Sequence, residues 1–245
     1  MLAVNAVFAW YVLTTEIIEG IAYTAPFSVW SACAYIGKTL PIAIITVLLL
    51  QAGYYSKQQK RVEILTSAAP MSYAQTLMIR TAVLGVCFLI ICTVDSLLGA
   101  VFFAAFFGYY GFGAFILPAL LEIIPCFVFV VGIGHLAGRM HGGTIYALLP
   151  VVFIAGFLGV TGAFDLFGGG FFSTYPLTLP VNPDGEPDFA FNAVWLIARI
   201  VYLRSALVRF LSILRLDLRG KGLEICKSLH IKLSRTVKIT VRDFF

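Results

Sequence analysis

Charged side chains are scarce in this chain. Asp, Glu, Lys and Arg together make up 12% of its 245 residues, whereas hydrophobic residues make up 60%. A soluble domain has about a quarter of its residues charged. Apolar runs of about 20 residues, long enough to cross a bilayer as helices, also leave a soluble fold little polar surface. The shortage of charge therefore excludes a soluble globular protein, and we predict an all-α, polytopic integral membrane protein.

Several features of other protein classes are also missing. The first residues, MLAVNAVFAWYVL, have neither a basic region nor a small-residue cleavage site, so we expect no cleavable signal. Residues Ile36-Gly37-Lys38-Thr39 resemble the end of a phosphate-binding loop, but Ala32 stands where that loop needs a glycine. His135 has no second metal ligand three or four residues away. We therefore predict that this chain has no catalytic residue, metal or bound cofactor, and that it is not itself an enzyme.

The apolar runs divide residues 1–208 into six predicted spans. These cover residues 2–19, 30–52, 74–104, 113–137, 144–163 and 189–208. The first span is weak because it is short and carries Asn5, with Glu16 and Glu19 at its end. If it does not cross, five spans remain. The sixth carries Arg199, which must reach the membrane surface or find an acidic partner.

The distribution of positive charge predicts the orientation. Lys57, Lys60 and Arg61 lie between the second and third spans, and Arg139 lies between the fourth and fifth. The other three loops contain no Lys or Arg. By the positive-inside rule, the 53–73 loop and both termini are cytoplasmic, in a plasma or inner membrane.

The remaining residues, 209–245, form a predicted basic cytoplasmic tail. From Arg204 onwards there are ten Lys or Arg residues and three acids. Such a stretch suits anionic membrane lipid or an acidic partner. Within the tail, HIKLSRTVKITVR alternates as a β-strand does. Nothing around it indicates a nucleic-acid-binding fold.

The 53–73 loop contains the pattern of a short amphipathic helix. Apolar residues fall on one side and Lys60, Glu63 and Ser67 on the other, and Pro70 ends the helix. Ser72, with Gln75 three residues later, forms a capping box that opens the third span. Such a helix at the membrane surface could bind a cytoplasmic partner, or it could simply be a positively charged loop that is helical.

The same loop carries a family resemblance. Tyr55-Ser56-Lys57, Arg61-Val62-Glu63-Ile64-Leu65 and Ser67-Ala68-Ala69-Pro70-Met71-Ser72 resemble the second cytoplasmic segment of type-2 ATP-binding cassette (ABC) exporter permeases. The six-span layout is also similar to that family. The family usually begins with a basic amphipathic helix, whereas this chain starts almost directly in apolar sequence.

The resemblance implies a function and partners. This chain would be the membrane subunit of an exporter, paired with a second permease subunit, identical or not. Separate cytoplasmic ATPases would bind ATP and Mg²⁺ and act on the 60–69 helix. The residues expected to couple ATPase motion to transport are Arg61, Glu63, Leu65 and Ser67.

Three ionisable residues inside the predicted spans offer an alternative. Counted along their helices, Lys38, Asp95 and Glu122 lie at nearly equal depths, about 20–22 Å from the cytoplasmic ends. Buried charges in a membrane are costly and are usually paired or functional. We predict that Lys38 forms an ion pair with Asp95 or Glu122. The three could pin helices together, or they could serve an ion-coupled secondary transporter or channel.

Glycines mark two further features. Gly134 and Gly138 form a G-x-x-x-G pattern, which we expect to pack within one subunit rather than between two. Residues 164–188, between the fifth and sixth spans, combine glycines, prolines and aromatic residues. Their first part, 166–175, is apolar enough to form an outer re-entrant segment, as in the resembling family, although a plain extracytoplasmic loop is the alternative.

Overall fold

The computed structural model describes residues 1–56, 59, 73–157, 162, 164–183 and 187–208. These residues are mainly helical and contain no strand, apart from one isolated bridge between Val181 and Pro187. The all-α prediction is confirmed for this part of the chain. The predicted strand in the basic tail lies outside it.

The described helices follow one another as an up-and-down bundle. Helix α1 covers Leu2–Val12 and continues as a π-helix over Leu13–Ile17. The others are α2 (Val29–Tyr54), α3 (Tyr73–Phe107), α4 (Gly113–Met140), α5 (Thr144–Phe157), the short α6 (Gly169–Thr174) and α7 (193–208). A 3-10 turn, Tyr175–Thr178, follows α6.

Three of these helices are apolar and long enough to cross a membrane. They are Val29–Tyr54, Gln75–Phe107 and Gly113–Met140, with 26, 33 and 28 residues. At a rise of about 1.5 Å per residue, the shortest is about 39 Å long, which exceeds the hydrocarbon core of about 30 Å. Leu2–Ile17 and Thr144–Phe157 are shorter apolar helices. Length and composition thus indicate a membrane-embedded protein.

Helix α2 lies at the centre of the bundle. It contacts α1, α3, α4, α5 and α6, and most of its residues are buried. The Ser28 hydroxyl caps its first turn by accepting from the N–H of Ser31, 3.1 Å away. Further along, Pro41 packs against Gly156 of α5, where a Cβ would overlap the proline ring. The absent side chain at Gly156 therefore allows α5 to approach α2 closely.

The connections between helices gather at two opposite ends of the bundle. At the α1–α2 end, the rings of Phe27 and Tyr109 stack with centroids 5.3 Å apart, which joins two connectors. At the α2–α3 end, Tyr55 follows α2 and lies against Gly142, in the connector between α4 and α5. Each half of the bundle has its own hydrophobic core, and α2 contributes to both.

Residues 164–178, here called the Gly-rich segment, pack into the bundle in its α1–α2 half. The segment contains α6, which contacts α2. Its Phe167, Phe171 and Phe172 are buried in the two cores. The rings of Phe171 and Trp195 stack with centroids 5.8 Å apart, which joins the segment to α7.

Candidate functional site

The four predicted coupling residues, Arg61, Glu63, Leu65 and Ser67, lie outside the described residues. The structure describes the two helices that flank them. Helix α2 ends at Tyr54 and α3 begins at Tyr73, so both helices meet the intervening chain at the α2–α3 end of the bundle.

A histidine joins three helices at this end. His135 of α4 is buried, and its Nδ1 lies 2.9 Å from the hydroxyl of Tyr55. Its Nε2 lies 2.9 Å from the hydroxyl of Thr81 on α3, which itself donates to the carbonyl of Leu77. Because the Thr81 hydrogen is already used, Nε2–H is the donor to Thr81, and a neutral His135 accepts from Tyr55. Both ring nitrogens thus hold α2, α3 and α4 together.

The G-x-x-x-G residues complete this packing. A Cβ on Gly134 would overlap the side chain of Gln51, and a Cβ on Gly138 would lie 2.5 Å from ring atoms of Tyr55. The side-chain amide of Gln51 donates to the carbonyl of Val131, 3.1 Å away. The glycine face of α4 is therefore filled by α2 of the same chain, as the sequence predicts.

The predicted partners of Lys38 are wrong. Its ammonium group forms an ion pair with the carboxylate of Glu16, in the π-helix that ends α1. Equal depth along helices says nothing about direction, because successive helical residues point about 100° apart. The residue of α2 that faces Glu122 is Gly37: a Cβ there would lie 2.7 Å from Glu122 Oε1. Lys38 instead lies on a partly exposed face of α2, beside α1.

Asp95 is buried where α3 packs against α2. The hydroxyl of Tyr35 donates to the backbone carbonyl of Asp95, 2.7 Å away. The carboxylate borders a small cavity whose polar lining comes from Tyr35, Thr39, Cys92 and Ser96. Oδ1 of Asp95 has no hydrogen-bond partner. Among the described residues, the ion pair predicted to join Lys38 to Asp95 or Glu122 is therefore replaced by the pair of Lys38 with Glu16.

Glu122 belongs to a different group, here called the buried charge cluster: Glu122, Asp165 and Arg199. Their exposed fractions are 0%, 3% and 2%. Glu122 comes from α4, Asp165 from the Gly-rich segment and Arg199 from α7. The sequence indicated that Arg199 must either reach the membrane surface or find an acidic partner, but it could not single out Glu122 and Asp165 as its acidic neighbours.

Asp165 and Arg199 both hold backbone of the Gly-rich segment. The carboxylate of Asp165 accepts from the N–H groups of Phe167, Gly170 and Phe171 at 2.8–3.2 Å. Nη1 of Arg199 donates to the carbonyl of Leu166. The guanidinium also lies over the ring of Trp195, 4.5 Å from its centroid. Three N–H groups and one carbonyl of this irregular backbone are thus hydrogen-bonded inside the protein, as a low-dielectric surrounding requires.

Two glycines bring the Gly-rich segment against its neighbours. A Cβ on Gly37 would overlap the backbone nitrogen of Gly169, so α2 and α6 are in backbone contact. A Cβ on Gly168 would overlap Oε1 of Glu122 and lie 3.2 Å from Nη2 of Arg199. Gly168 also has a φ of +85°, a conformation that favours glycine. Sequence inspection noted the glycines but not which helices they would contact.

Helix α2 therefore connects two polar regions of this bundle: the hydrogen bonds of His135 at one end, and the Gly-rich segment with the buried charge cluster in the other half. Near its C-terminus it meets His135 through Tyr55, and in its other half it meets the Gly-rich segment through Gly37. Comparison with known proteins adds no assignment: no family model, curated protein or solved structure matches this chain.

Proposed function

We propose that the chain is the membrane subunit of an ATP-driven exporter of the ABC type. It would form the substrate path together with a second permease subunit, and cytoplasmic ATPases would act on its 60–69 helix. The α2–α3 end would face the cytoplasm, because the sequence that connects these two helices carries Lys57, Lys60 and Arg61. In this arrangement the helices from α1 to α5, together with α7, account for six crossings.

The observation that carries the proposal is the position of α2. This single helix runs from the chain that resembles an ATPase-binding segment to the Gly-rich segment in the opposite half. Displacement would pass along α2 through its hydrogen-bonded turns, which are interrupted at Pro41, where the N–H that would donate to the Gly37 carbonyl is missing. The backbone contact of Gly37 with Gly169 would pass such a displacement to the Gly-rich segment, which we propose is the outer re-entrant element.

The His135 contacts explain how the cytoplasmic ends of three helices would move together. A push on the 60–69 helix would reach α2 and α3, since the chain enters and leaves that helix through them. Through its two hydrogen bonds His135 links both to α4. The coupling residues Arg61, Glu63, Leu65 and Ser67 would therefore act on a joined group of helices.

An ion-coupled secondary transporter remains the second candidate. Two observations favour it: Asp95 and Glu122 are buried carboxylates, and each has at least one oxygen without a hydrogen-bond partner. Lys38 no longer belongs to such a site, since it pairs with Glu16. This candidate predicts that the purified chain alone transports solute down an ion gradient in liposomes, without ATP.

Co-purification tests the exporter proposal. The chain, tagged and expressed in its native host, is purified in mild detergent. We expect an ATPase with ABC signature motifs to accompany it in near-stoichiometric amount. Leu65→Asp should reduce that recovery or the transport driven by it, because a charge would replace an apolar residue of the proposed contact helix. Leu177→Asp is a matched control, as Leu177 is exposed in the opposite half. Recovery of the chain without any ATPase would contradict the proposal.

A further inference from the structure

Two buried residues of opposite charge lie beside each other without pairing. Among the described residues, neither carboxylate oxygen of Glu122 has a hydrogen-bond donor, and Nε and Nη2 of Arg199 have no acceptor. Both residues are at most 2% exposed. Gly168 of the Gly-rich segment adjoins both groups, since a Cβ there would meet Oε1 of Glu122 and Nη2 of Arg199. The segment therefore occupies the place where the two charges would meet.

A bare carboxylate inside a protein is strongly disfavoured unless it is paired or hydrogen-bonded. With the segment in place, Arg199 uses one nitrogen on the Leu166 carbonyl, and Glu122 gains no donor. If the segment withdrew, Arg199 would lose Leu166, but its guanidinium could form a direct, two-bond ion pair with Glu122. Each arrangement thus offers Arg199 a different partner.

We propose that Arg199 and Glu122 are positioning residues that set an equilibrium between a seated and a withdrawn Gly-rich segment. Arg199 stabilises the seated arrangement through Leu166. Glu122 stabilises the withdrawn arrangement, because only there does it gain the guanidinium. Asp165 moves with the segment, since its carboxylate bonds to the segment's own N–H groups.

The seating surface fits a removable segment. Two of its contacts with α2 and α4 are made at glycines, Gly169 against Gly37 and Gly168 against Glu122. Glycine has no side chain to interlock with a neighbouring helix, so separation there needs no rotamer change. Phe171 and Phe172 are the apolar part of the seat, and they lie in one core with Cys33 of α2.

For an exporter, withdrawal of the segment would open the path at the end opposite the ATPases. That consequence rests on the proposed function, whereas the equilibrium itself does not. The two can therefore be tested separately.

Cysteine labelling measures the equilibrium. Cys33 is fully buried in the core that contains Phe171 and Phe172, so withdrawal of the segment would uncover it. The other four cysteines, Cys87, Cys92, Cys126 and Cys226, are replaced by Ala. The full chain in lipid nanodiscs, without any ATPase, is treated with a small water-soluble methanethiosulfonate, and the labelling rate of Cys33 is followed by mass spectrometry.

Loss of either charged residue should slow the labelling of Cys33. Arg199→Met removes one charged hydrogen bond from the seated arrangement but the two-bond ion pair from the withdrawn one, so labelling should fall severalfold. Arg199→Lys should fall between Arg199→Met and the wild type, since it keeps a charged donor. Glu122→Gln should likewise lower labelling severalfold, because it removes the ion pair of the withdrawn arrangement.

A purely structural cluster would behave differently, since any change within it would loosen the packing and raise labelling. Faster labelling in Arg199→Met or Glu122→Gln, or an unchanged rate in both, would overturn the proposal. If Arg199→Met does not fold, the Glu122→Gln result decides. Because the assay contains no ATPase, its failure leaves the exporter proposal standing, and a failed search for an ATPase leaves this proposal standing.

Discussion

The substitution Gly37→Ala tests the contact between α2 and the Gly-rich segment most directly. Two effects of opposite sign compete. Replacing glycine by alanine inside a helix stabilises it by about 0.5–1 kcal/mol. Against this, the new methyl group would overlap the backbone nitrogen of Gly169 and lie 2.7 Å from both Gly169 Cα and Glu122 Oε1. Backbone atoms cannot rotate away from such a contact.

Overpacking of a close-packed interior costs about 1–3 kcal/mol and occasionally more. Because the obstructing atoms belong to backbone, we expect the upper part of this range, and a net loss of about 2 kcal/mol after the helix gain. For a chain of this size, each kcal/mol shifts the midpoint of thermal unfolding by about 2–4 °C. Gly37→Ala should therefore lower the midpoint by about 4–8 °C.

Gly85→Ala provides the matched control. Gly85 lies within α3, and a Cβ there would meet Phe127 at 3.8 Å, an ordinary van der Waals distance. This variant should be as stable as the wild type or more stable by up to about 1 kcal/mol. Both variants are compared by thermal unfolding in the same detergent, followed by tryptophan fluorescence. If Gly37→Ala proves as stable as Gly85→Ala, α2 does not lie against the Gly-rich segment as described.

Three further predictions concern single polar contacts. In a double-mutant cycle, the effects of Lys38→Met and Glu16→Gln on the unfolding free energy should be non-additive by about 0.5–1 kcal/mol, a small value because the pair is partly exposed. The effects of Lys38→Met and Asp95→Asn should be additive. Coupling of Lys38 to Asp95 instead would contradict the observed pairing. His135→Phe keeps a ring but loses both hydroxyl partners, so it should lower the unfolding free energy by about 1–3 kcal/mol. Thr81→Val in that background should lower it little further. Full additivity of the two changes would argue against the shared hydrogen bond. Asp165→Asn replaces one accepting oxygen by an N–H₂ group that faces backbone donors, so it should raise the rate of Cys33 labelling. Asp188→Asn, at an exposed position outside the Gly-rich segment, should leave that rate unchanged. Equal effects of the two changes would show that Asp165 does not hold the segment in place.

The limits of sequence reasoning are clearest at Lys38. The residue was singled out because a lysine within an apolar run needs a partner, and in the structure it has one, although the pair is partly exposed. Its partner was missed because depth along a helix gives one coordinate, and the direction of a side chain around the helix depends on how the helices are packed. Glu16 was visible in the sequence, but only the approach of α1 to α2 brings it to Lys38.

Composition and the lengths of the apolar runs were enough to determine an all-α protein with membrane-length helices. In such a chain, backbone polar groups must be satisfied within each segment. The helix boundaries followed closely: α2 and α4 extend over 29–54 and 113–140, where spans 30–52 and 113–137 were predicted. The glycine face of α4 could also be inferred from the residues alone, whereas for Arg199 they left two alternatives, the membrane surface or an acidic partner.

Only the tertiary structure decided which residues meet. Glu122, Asp165 and Arg199 lie far apart along the chain, on two helices and an irregular segment, and no periodicity relates them. Their assembly depends on Gly37, Gly168 and Gly169, whose missing side chains allow the Gly-rich segment to enter the bundle. A glycine in a sequence shows that close approach is possible, but not what approaches. That is decided by the packing of all helices together, because each contact depends on the position of every other.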